Sequence, residues 1–397
     1  MQSAYIIDAV RTPIGKYGGK LSTVRADDLL AVVIKALVDR NPSVDVNLIE
    51  DIIIGDSNQA GEDCRDVARM GALLAGLPVS VGGNTVNRLC ASGMQAIMDA
   101  ARAIICGEGL LYIAGGVESM SRAPFIMAKS KGAFSRNVEM VDSTIGWRFT
   151  NQKLASLYHP FNMGETAENI ATQWGISREA QDEFAFQSQQ KYQAALHAGK
   201  WETEIVPVPL SDNKEPNYFT KDEQPRITTI ERLNALRPAF RANGTVTAGN
   251  SSAINDGASA LLMASEEAVR LFNLKPIARV TSMAIAGVHP DIMGIGPVPA
   301  TQKVLKRAGL SINDIGLTEL CEAFAVQCIA CINDIGLVKE TTNVNGGSIA
   351  MGNPLGSSGA RIVGSLIHEM KRRNTKYGLA TMCVGVGQGA SMIVEGL

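Results

Sequence analysis

Long apolar runs are scarce in this chain. None reads as long enough to cross a bilayer, so no membrane segment is expected. The start, Met1-Gln-Ser-Ala-Tyr-Ile-Ile-Asp, has no basic stretch ahead of a long apolar one, which argues against a signal peptide. An excess of one charge is missing too. A formal net charge of −2 gives no electrostatic reason to expect nucleic acid or an anionic membrane surface as a partner. Regular cysteine spacing is absent: the seven cysteines are odd in number and scattered. That excludes a disulfide framework and predicts free thiols in a reducing, cytoplasmic compartment. Histidine is rare, with only His159, His197, His289 and His368.

What is present is glycine, used as punctuation. Ile52-Ile-Ile-Gly, Leu110-Leu-Tyr-Ile-Ala-Gly-Gly, Ala260-Leu-Leu-Met-Ala and Ser391-Met-Ile-Val read as buried strands. Helical patterns lie between them, at Asp27-Asp-Leu-Leu-Ala-Val-Val-Ile and Thr301-Gln-Lys-Val-Leu-Lys-Arg-Ala. Such alternation predicts an α/β fold, and 397 residues predict two or three packed units. A weak internal repeat is visible. Ser92-Gly93 opens a helix that leads through Gly107 and a strand to Gly115-Gly116, and Ser358-Gly359 does the same on the way to Gly385-Val-Gly-Gln-Gly. Two similar halves facing each other would place their loops in a shared cleft. Between about Ser121 and Asn250 the chain is more polar and holds all three tryptophans, with a Pro/Asp/Glu/Lys-rich stretch from Pro207 to Arg226. This is read as an inserted domain of loops and short helices lying over the core.

Four segments carry chemistry. In Asn87-Arg-Leu-Cys90-Ala-Ser-Gly, Cys90 sits where a helix begins, and the free N–H groups there favour a thiolate or an oxyanion. A packed core thiol is the competing reading. Asn345-Gly-Gly-Ser-Ile-Ala-Met-Gly-Asn353-Pro-Leu-Gly-Ser-Ser-Gly-Ala-Arg361 is glycine-rich ahead of a helix, which fits either a close ligand or a structural turn. Cys383-Val-Gly-Val-Gly-Gln-Gly places a thiol at a strand end, suited to passing a proton, or again simply packed. Gly244-Thr-Val-Thr-Ala-Gly-Asn-Ser-Ser252 is small enough for a narrow chain to lie along it, and lacks the ending of a phosphate-binding P-loop.

Together these segments resemble the thiolase family. The likeness runs from Asp8-Ala-Val-Arg-Thr-Pro-Ile-Gly through Gly115-Gly-Val-Glu-Ser-Met-Ser, Met163-Gly-Glu-Thr-Ala-Glu-Asn, Met293-Gly-Ile-Gly-Pro-Val-Pro and Glu322-Ala-Phe-Ala to the Cys383 loop. Asp142-Ser-Thr-Ile-Gly-Trp-Arg-Phe is similar to degradative 3-oxoacyl-CoA and 3-oxoadipyl-CoA members. The resemblance implies two βαβαβαββ halves in α-β-α-β-α layers. The N-terminal half would take residues 1–120 and 251–275, the inserted loop domain 121–250, and the C-terminal half 276–397. It implies homodimers or homotetramers, no permanent cofactor and no metal, and acyl-CoA and coenzyme A as the molecules bound. In that scheme Cys90 is the nucleophile and Cys383 the acid/base. The Cys90 and Gly385 N–H groups form an oxyanion hole, Ser252 and Ala248 lie along pantetheine, and Met163, Met293, Ala323 and Phe324 line the pocket.

Two positions depart from the family. Gly352-Asn353-Pro354 stands where the pattern is Gly-His-Pro, and Cys321-Glu322-Ala323-Phe324 where it is Asn-Glu-Ala-Phe. The replaced histidine is the base that activates the nucleophile; asparagine cannot take its proton at neutral pH. The replaced asparagine holds a water of the oxyanion hole, and a thiol is a poor donor. Turnover is therefore expected to be impaired, with Cys90 still partly ionised by the helix terminus. His289 and His159 are the histidines nearest the expected pocket, as solvated or capping residues or as substitutes for the base; His368 is expected at the surface. Three cysteines meeting in one pocket invite a disulfide under oxidation, while their spacing is not a zinc motif. Two alternatives remain: an acyl-CoA binding protein without turnover, and a decarboxylative condensation like that of ketoacyl synthases, which use Cys-His-Asn.

Overall fold

The computed structural model describes residues 2–130, 132–210 and 217–397, so Ser211–Pro216 of the Pro207–Arg226 stretch lie outside it. The main sheet is mixed and carries an internal repeat, with two short hairpins outside it among the described residues. From the middle outward, Ala4–Arg11 pairs antiparallel with Asn255–Ser265, which pairs antiparallel with Leu111–Ser119; Ile49–Gly55 and then Asn84–Val86 follow in parallel. On the other side Ala278–Gly287 pairs antiparallel with Gln388–Gly396, then Tyr377–Val384 antiparallel and Leu317–Leu320 parallel. The two series join where Tyr5 and Ile6 meet Arg279 and Ala278. The same order of pairing occurs twice, which gives the repeat seen in the sequence a structural basis.

Helices make the remaining layers. Ala26–Arg40 and Val67–Leu74 cover one outer face, Pro297–Ala308 and Ala325–Ile335 the other. Ser92–Cys106 and Leu355–Arg373 pack on each other between the two series. Their glycines explain how closely. A Cβ on Gly93 would lie 2.8 Å from Ala360 N, and one on Gly359 2.4 Å from Met94 N. No other residue allows this approach, so each half supplies one Ser-Gly pair to the same contact. The second helix begins at Leu355, ahead of Ser358.

Three expectations need correction. His368 is buried, and its Nε2 is 2.9 Å from the Ala9 carbonyl. Leu355–Arg373 is the middle layer, buried from Gly356 through Met370, and the polar face of its pattern meets other polar groups, not solvent. Secondly, the 18-residue window Leu89–Cys106 is long and apolar enough to cross a membrane by length and composition. In the fold it belongs to the central helix layer. Thirdly, the stretch expected to hold short helices contains Arg178–His197, a helix of 20 residues. Ser177 caps Ala180 N–H at 3.2 Å, and Arg178 pairs with Asp182 at 2.7 Å. Its buried face of Gln181, Asp182, Ala185, Ser188, Gln189, Tyr192 and Ala195 has helical spacing, but Gln181, Asp182, Ser188 and Gln189 are polar, which conceals it from hydropathy.

Candidate active site

Cys90 follows a tight turn out of the Asn84–Val86 strand. Leu89 has φ 48°, a conformation bulky residues rarely adopt. The turn is held from both sides: Leu89 N–H donates to Asn87 Oδ1 at 2.8 Å, and the Ser92 hydroxyl donates to the Leu89 carbonyl at 2.6 Å. Cys90 is thereby aimed away from its own helix toward the other half of the fold. The backbone N–H groups of Gly385 and of Cys90 itself face its sulfur. These are the two donors expected of the oxyanion hole.

The sequence reading expected a helix terminus to ionise Cys90, and here the structure differs. Burial pushes the thiol up to about 11, the neighbouring Cys321 adds to this, and the two N–H groups only partly offset it. Removing a sulfur from water costs more than two backbone dipoles return.

Cys383 closes the Tyr377–Val384 strand and is buried; burial, then Cys321 and Cys90, push its thiol well above the ordinary range. Cys321 extends the Leu317–Leu320 strand, its N–H donating to the Thr381 carbonyl at 3.0 Å. The loops after adjacent strands thus bring Cys321 and Cys383 together, and Cys90 reaches them from the first half. All seven cysteines are free.

Asn353 lies against this group. Gly352 before it has φ 112°, and a Cβ there would lie 2.7 Å from Asn255 Cγ, so glycine is required on both counts. Asn255 Oδ1 accepts the Asn353 N–H at 2.9 Å. The side-chain amide is equally fixed. Ser358 Oγ donates to Asn353 Oδ1 at 2.6 Å, Asn353 Nδ2 donates to Ser252 Oγ at 3.3 Å, and Cys321 Sγ is 3.9 Å from Asn353 Oδ1. Asn353 is thus a positioned donor and acceptor with no proton to exchange at neutral pH.

Ser252 N–H donates to the Ala323 carbonyl at 2.9 Å, which joins the small-residue loop to the site. Met293, Phe324 and Cys383 belong to one apolar cluster, with Met163 and Ala323 packed on it. Met163 also reaches Gly385: a Cβ there would lie 3.7 Å from its Sδ. The expected pocket residues therefore converge, except Ala248, which sits exposed on the Thr247–Asn250 turn. His289 is 52% exposed, and its Nδ1 caps the Asp291 N–H at 3.4 Å. His159 is exposed against Phe161, with ring centroids 4.3 Å apart. Both are the solvated or capping histidines of the plainer reading.

Several residues at the site were not singled out from sequence. Ser348 Oγ is 3.5 Å from Cys321 Sγ and accepts from Arg361 Nη2 at 2.7 Å. Glu118 accepts the Gly356 N–H at 2.8 Å, at the start of the Leu355–Arg373 helix. Asp56, Asp63 and Glu118 are buried together, and burial beside Glu118 and Asp63 pushes the Asp56 carboxyl up to about 9. The one signal available was that Ser348 and Arg361 sit in the glycine-rich segment already marked.

Residues 4–267 match the thiolase N-terminal domain and residues 274–396 the thiolase C-terminal domain. The chain is 55% identical, over the full length of both, to the 3-oxoadipyl-CoA/3-oxo-5,6-dehydrosuberyl-CoA thiolase of Escherichia coli K12. Its fold superposes on the acetyl-CoA acetyltransferase of Bacillus anthracis with a TM-score of 0.94 at 40% identity, covering 100% of this chain and 99% of that one. Against human mitochondrial 3-ketoacyl-CoA thiolase in complex with CoA the TM-score is 0.93 at 39% identity, covering 100% and 98%. With both halves matched by family and by fold, and with the thiols of both halves meeting in one site, the chain belongs to the thiolase family of acyltransferases.

Proposed function

We propose that this enzyme passes an acyl group between coenzyme A and Cys90, acting on 3-oxoacyl-CoA thioesters of the 3-oxoadipyl type, and that it turns over slowly at neutral pH. The observation that carries the reading is the meeting of Cys90, Cys383 and Cys321 beside the fixed amide of Asn353. Cys90 attacks the thioester carbonyl, the N–H groups of Cys90 and Gly385 hold the oxyanion, and Cys383 exchanges the α-proton. Ser252 and Ala248 lie along pantetheine, and Met163, Met293, Ala323 and Phe324 wall the acyl group. The 3-oxoadipyl class rests on the relative at 55% identity. Slow turnover rests on a site whose nucleophile is held at about 11 with no histidine beside it. Loss of a positioned general base costs about 10²–10⁴ in rate.

Intact-protein mass spectrometry after incubation with acetyl-CoA and with 3-oxoadipyl-CoA tests this. A Cys90-dependent acyl mass, absent in Cys90→Ala, supports it. Binding of either thioester with no adduct in the native chain or in Asn353→His favours a binder without turnover. Release of CO₂ from a malonyl donor favours decarboxylative condensation.

Residues 121–250 act as a loop domain over the pocket, inserted between 1–120 and 251–275, with 276–397 as the second core half. The enzyme works in the cytoplasm, a reading supported by seven free thiols. It assembles as a homodimer or homotetramer. The exposed Phe125, Met127 and Met140 on one hairpin are the apolar surface that supports this, and light scattering measures it.

A further inference from the structure

We propose that the cleft at the far end of the Leu355–Arg373 helix is a second ligand site, for a sugar phosphate, free or as part of a nucleotide. The site is separate from the acyl-transfer reading and does not depend on it.

The cleft is open, with a volume of about 670 Å³, within the about 300–1,000 Å³ usual for small-molecule sites. It forms where distant parts of the chain meet. The Ala4–Arg11 strand, the end of the Ala26–Arg40 helix, the link between the two halves at 273–275 and the last turn of Leu355–Arg373 all border it. His368 in its wall lies thirteen residues beyond Leu355, about 20 Å along the helix at about 1.5 Å per residue. The thiol site is at the other end of that helix, where Ser358 holds Asn353.

Charge selects the ligand. The lining has four cations, Arg40, Lys275, Lys371 and Arg372, against one carboxylate, Asp8. Asp8 is already used. Arg40 Nε reaches its Oδ2 at 2.9 Å and Nη2 its Oδ1 at 3.0 Å, and Asn41 Nδ2 donates to Oδ2 at 3.3 Å. Arg40 Nη1 donates to the Thr203 carbonyl at 3.0 Å, so this neutral pair forms a fixed wall. Arg372 shares the carboxylate of Glu369 with Lys200 and Arg373, at 2.7, 3.1 and 2.6 Å, three cations on one anion. Lys275 and Lys371 are exposed, and neither forms an ion pair among the described residues. The last-turn carbonyls of the two helices oppose an anion, but both ends are capped: Asn41 N–H donates to the Val38 carbonyl at 3.1 Å and Asn374 N–H to the Lys371 carbonyl at 3.4 Å. The excess is positive and sits on two free ammonium groups, which a phosphate dianion matches.

His368 adds a second requirement. The Ala9 carbonyl can only accept, so His368 Nε2, 2.9 Å away, carries the ring proton. In the neutral ring Nδ1 is then an acceptor. The ring is 6% exposed and borders the cleft, and Nδ1 has no partner among the described residues. A buried acceptor facing a cleft is satisfied by a ligand hydroxyl. Ile7, Leu274 and Ile277 supply apolar surface for a carbon skeleton. Phosphate toward the lysines, a hydroxyl toward His368 and a short carbon frame between them describe a sugar phosphate.

Isothermal titration calorimetry of the full chain at low ionic strength tests this with ribose 5-phosphate, ADP, citrate and sulfate, an anion without a hydroxyl. Ribose 5-phosphate or ADP should bind about fivefold or more tighter than sulfate, the worth of one hydrogen bond. ADP tighter than ribose 5-phosphate identifies a nucleotide, and equal affinity a free sugar phosphate. Lys275→Glu combined with Lys371→Glu reverses two exposed charges; it should weaken binding about tenfold or more and leave the far-ultraviolet circular dichroism unchanged. Equal affinity in the native chain and the double variant would place the probe elsewhere and overturn the proposal. Sulfate or citrate binding as tightly as the sugar phosphate, or no binding of any probe, overturns it as well.

Discussion

Substituting histidine for Asn353 would place a base beside a group of buried thiols that includes Cys321. The native expectation follows from Cys90. With its thiol at about 11, the thiolate fraction near pH 8 is about 10⁻³ and falls tenfold for each unit below. Acylation limited by that fraction rises about tenfold per pH unit between about pH 6 and about pH 9, whichever neighbour carries the proton away. In Asn353→His the new ring occupies the place where Ser358 and Ser252 now hold the amide, at 2.6 and 3.3 Å. An imidazole there ionises near its ordinary value of about 6.5, so the profile should flatten above about pH 7. The gain at neutral pH should be about 10²–10⁴, the usual worth of a positioned base. Rapid-quench mass spectrometry of the Cys90 adduct across this pH range measures both curves. A native profile that is flat, or an Asn353→His profile with the native slope and rate, would refute the proposal that protonation of Cys90 limits acylation.

Other outcomes follow from the same structure. Gly352→Ala puts a Cβ 2.7 Å from Asn255 at φ 112°; it should lower stability by about 1–3 kcal/mol in urea unfolding and reduce acylation, because Asn353 moves with its backbone. Asp56→Asn should raise the melting temperature, with a gain that widens from about pH 5 to about pH 8. Its folded carboxyl, held at about 9 by burial and by Glu118 and Asp63, keeps a proton that the unfolded chain releases, so native stability falls as pH rises through that range. Glu369 behaves oppositely. Burial pushes it up, but hydrogen bonds from Asn345, Arg373, Arg372 and Lys200 hold it down to about 2, so its contribution is present above its unfolded value of 4.5 and is lost as pH falls toward 2. Glu369→Gln should flatten the acid limb of a stability profile between those values. Arg11→Met leaves buried Glu204 and Asp222 without the guanidinium that meets each at 2.6 Å, and should cost about 3–5 kcal/mol in the same unfolding assay.

Legibility varied along the chain for physical reasons. The Asp8-to-Gly15 start, the Ser92-Gly93 helix opening and the Cys90 and Cys383 segments were readable because strands, tight turns and close backbone approach restrict residue type locally. The Arg178–His197 helix was misjudged because its buried stripe is partly polar, paired across to Asn250 and Glu322 by residues far away in sequence. His368 was misplaced for a like reason. A helix covered on every side needs no apolar outer face when Ala9, Glu204 and Asn345 meet its polar groups.

The sequence by itself determined the family and the two-fold repeat, and it placed Asn353 and Cys321 in segments that meet at the site. Those depend on residue order and on turn chemistry, which are local. Only the tertiary structure decided the protonation of the site. Cys90 stands at a helix start, which alone favours thiolate, yet desolvation and the neighbouring Cys321 reverse the balance. Cys321 gains its cation from Arg361, forty residues along the chain, through Ser348. Desolvation and charge act through space, and no pattern along the chain encodes which sulfur will lie beside which charge.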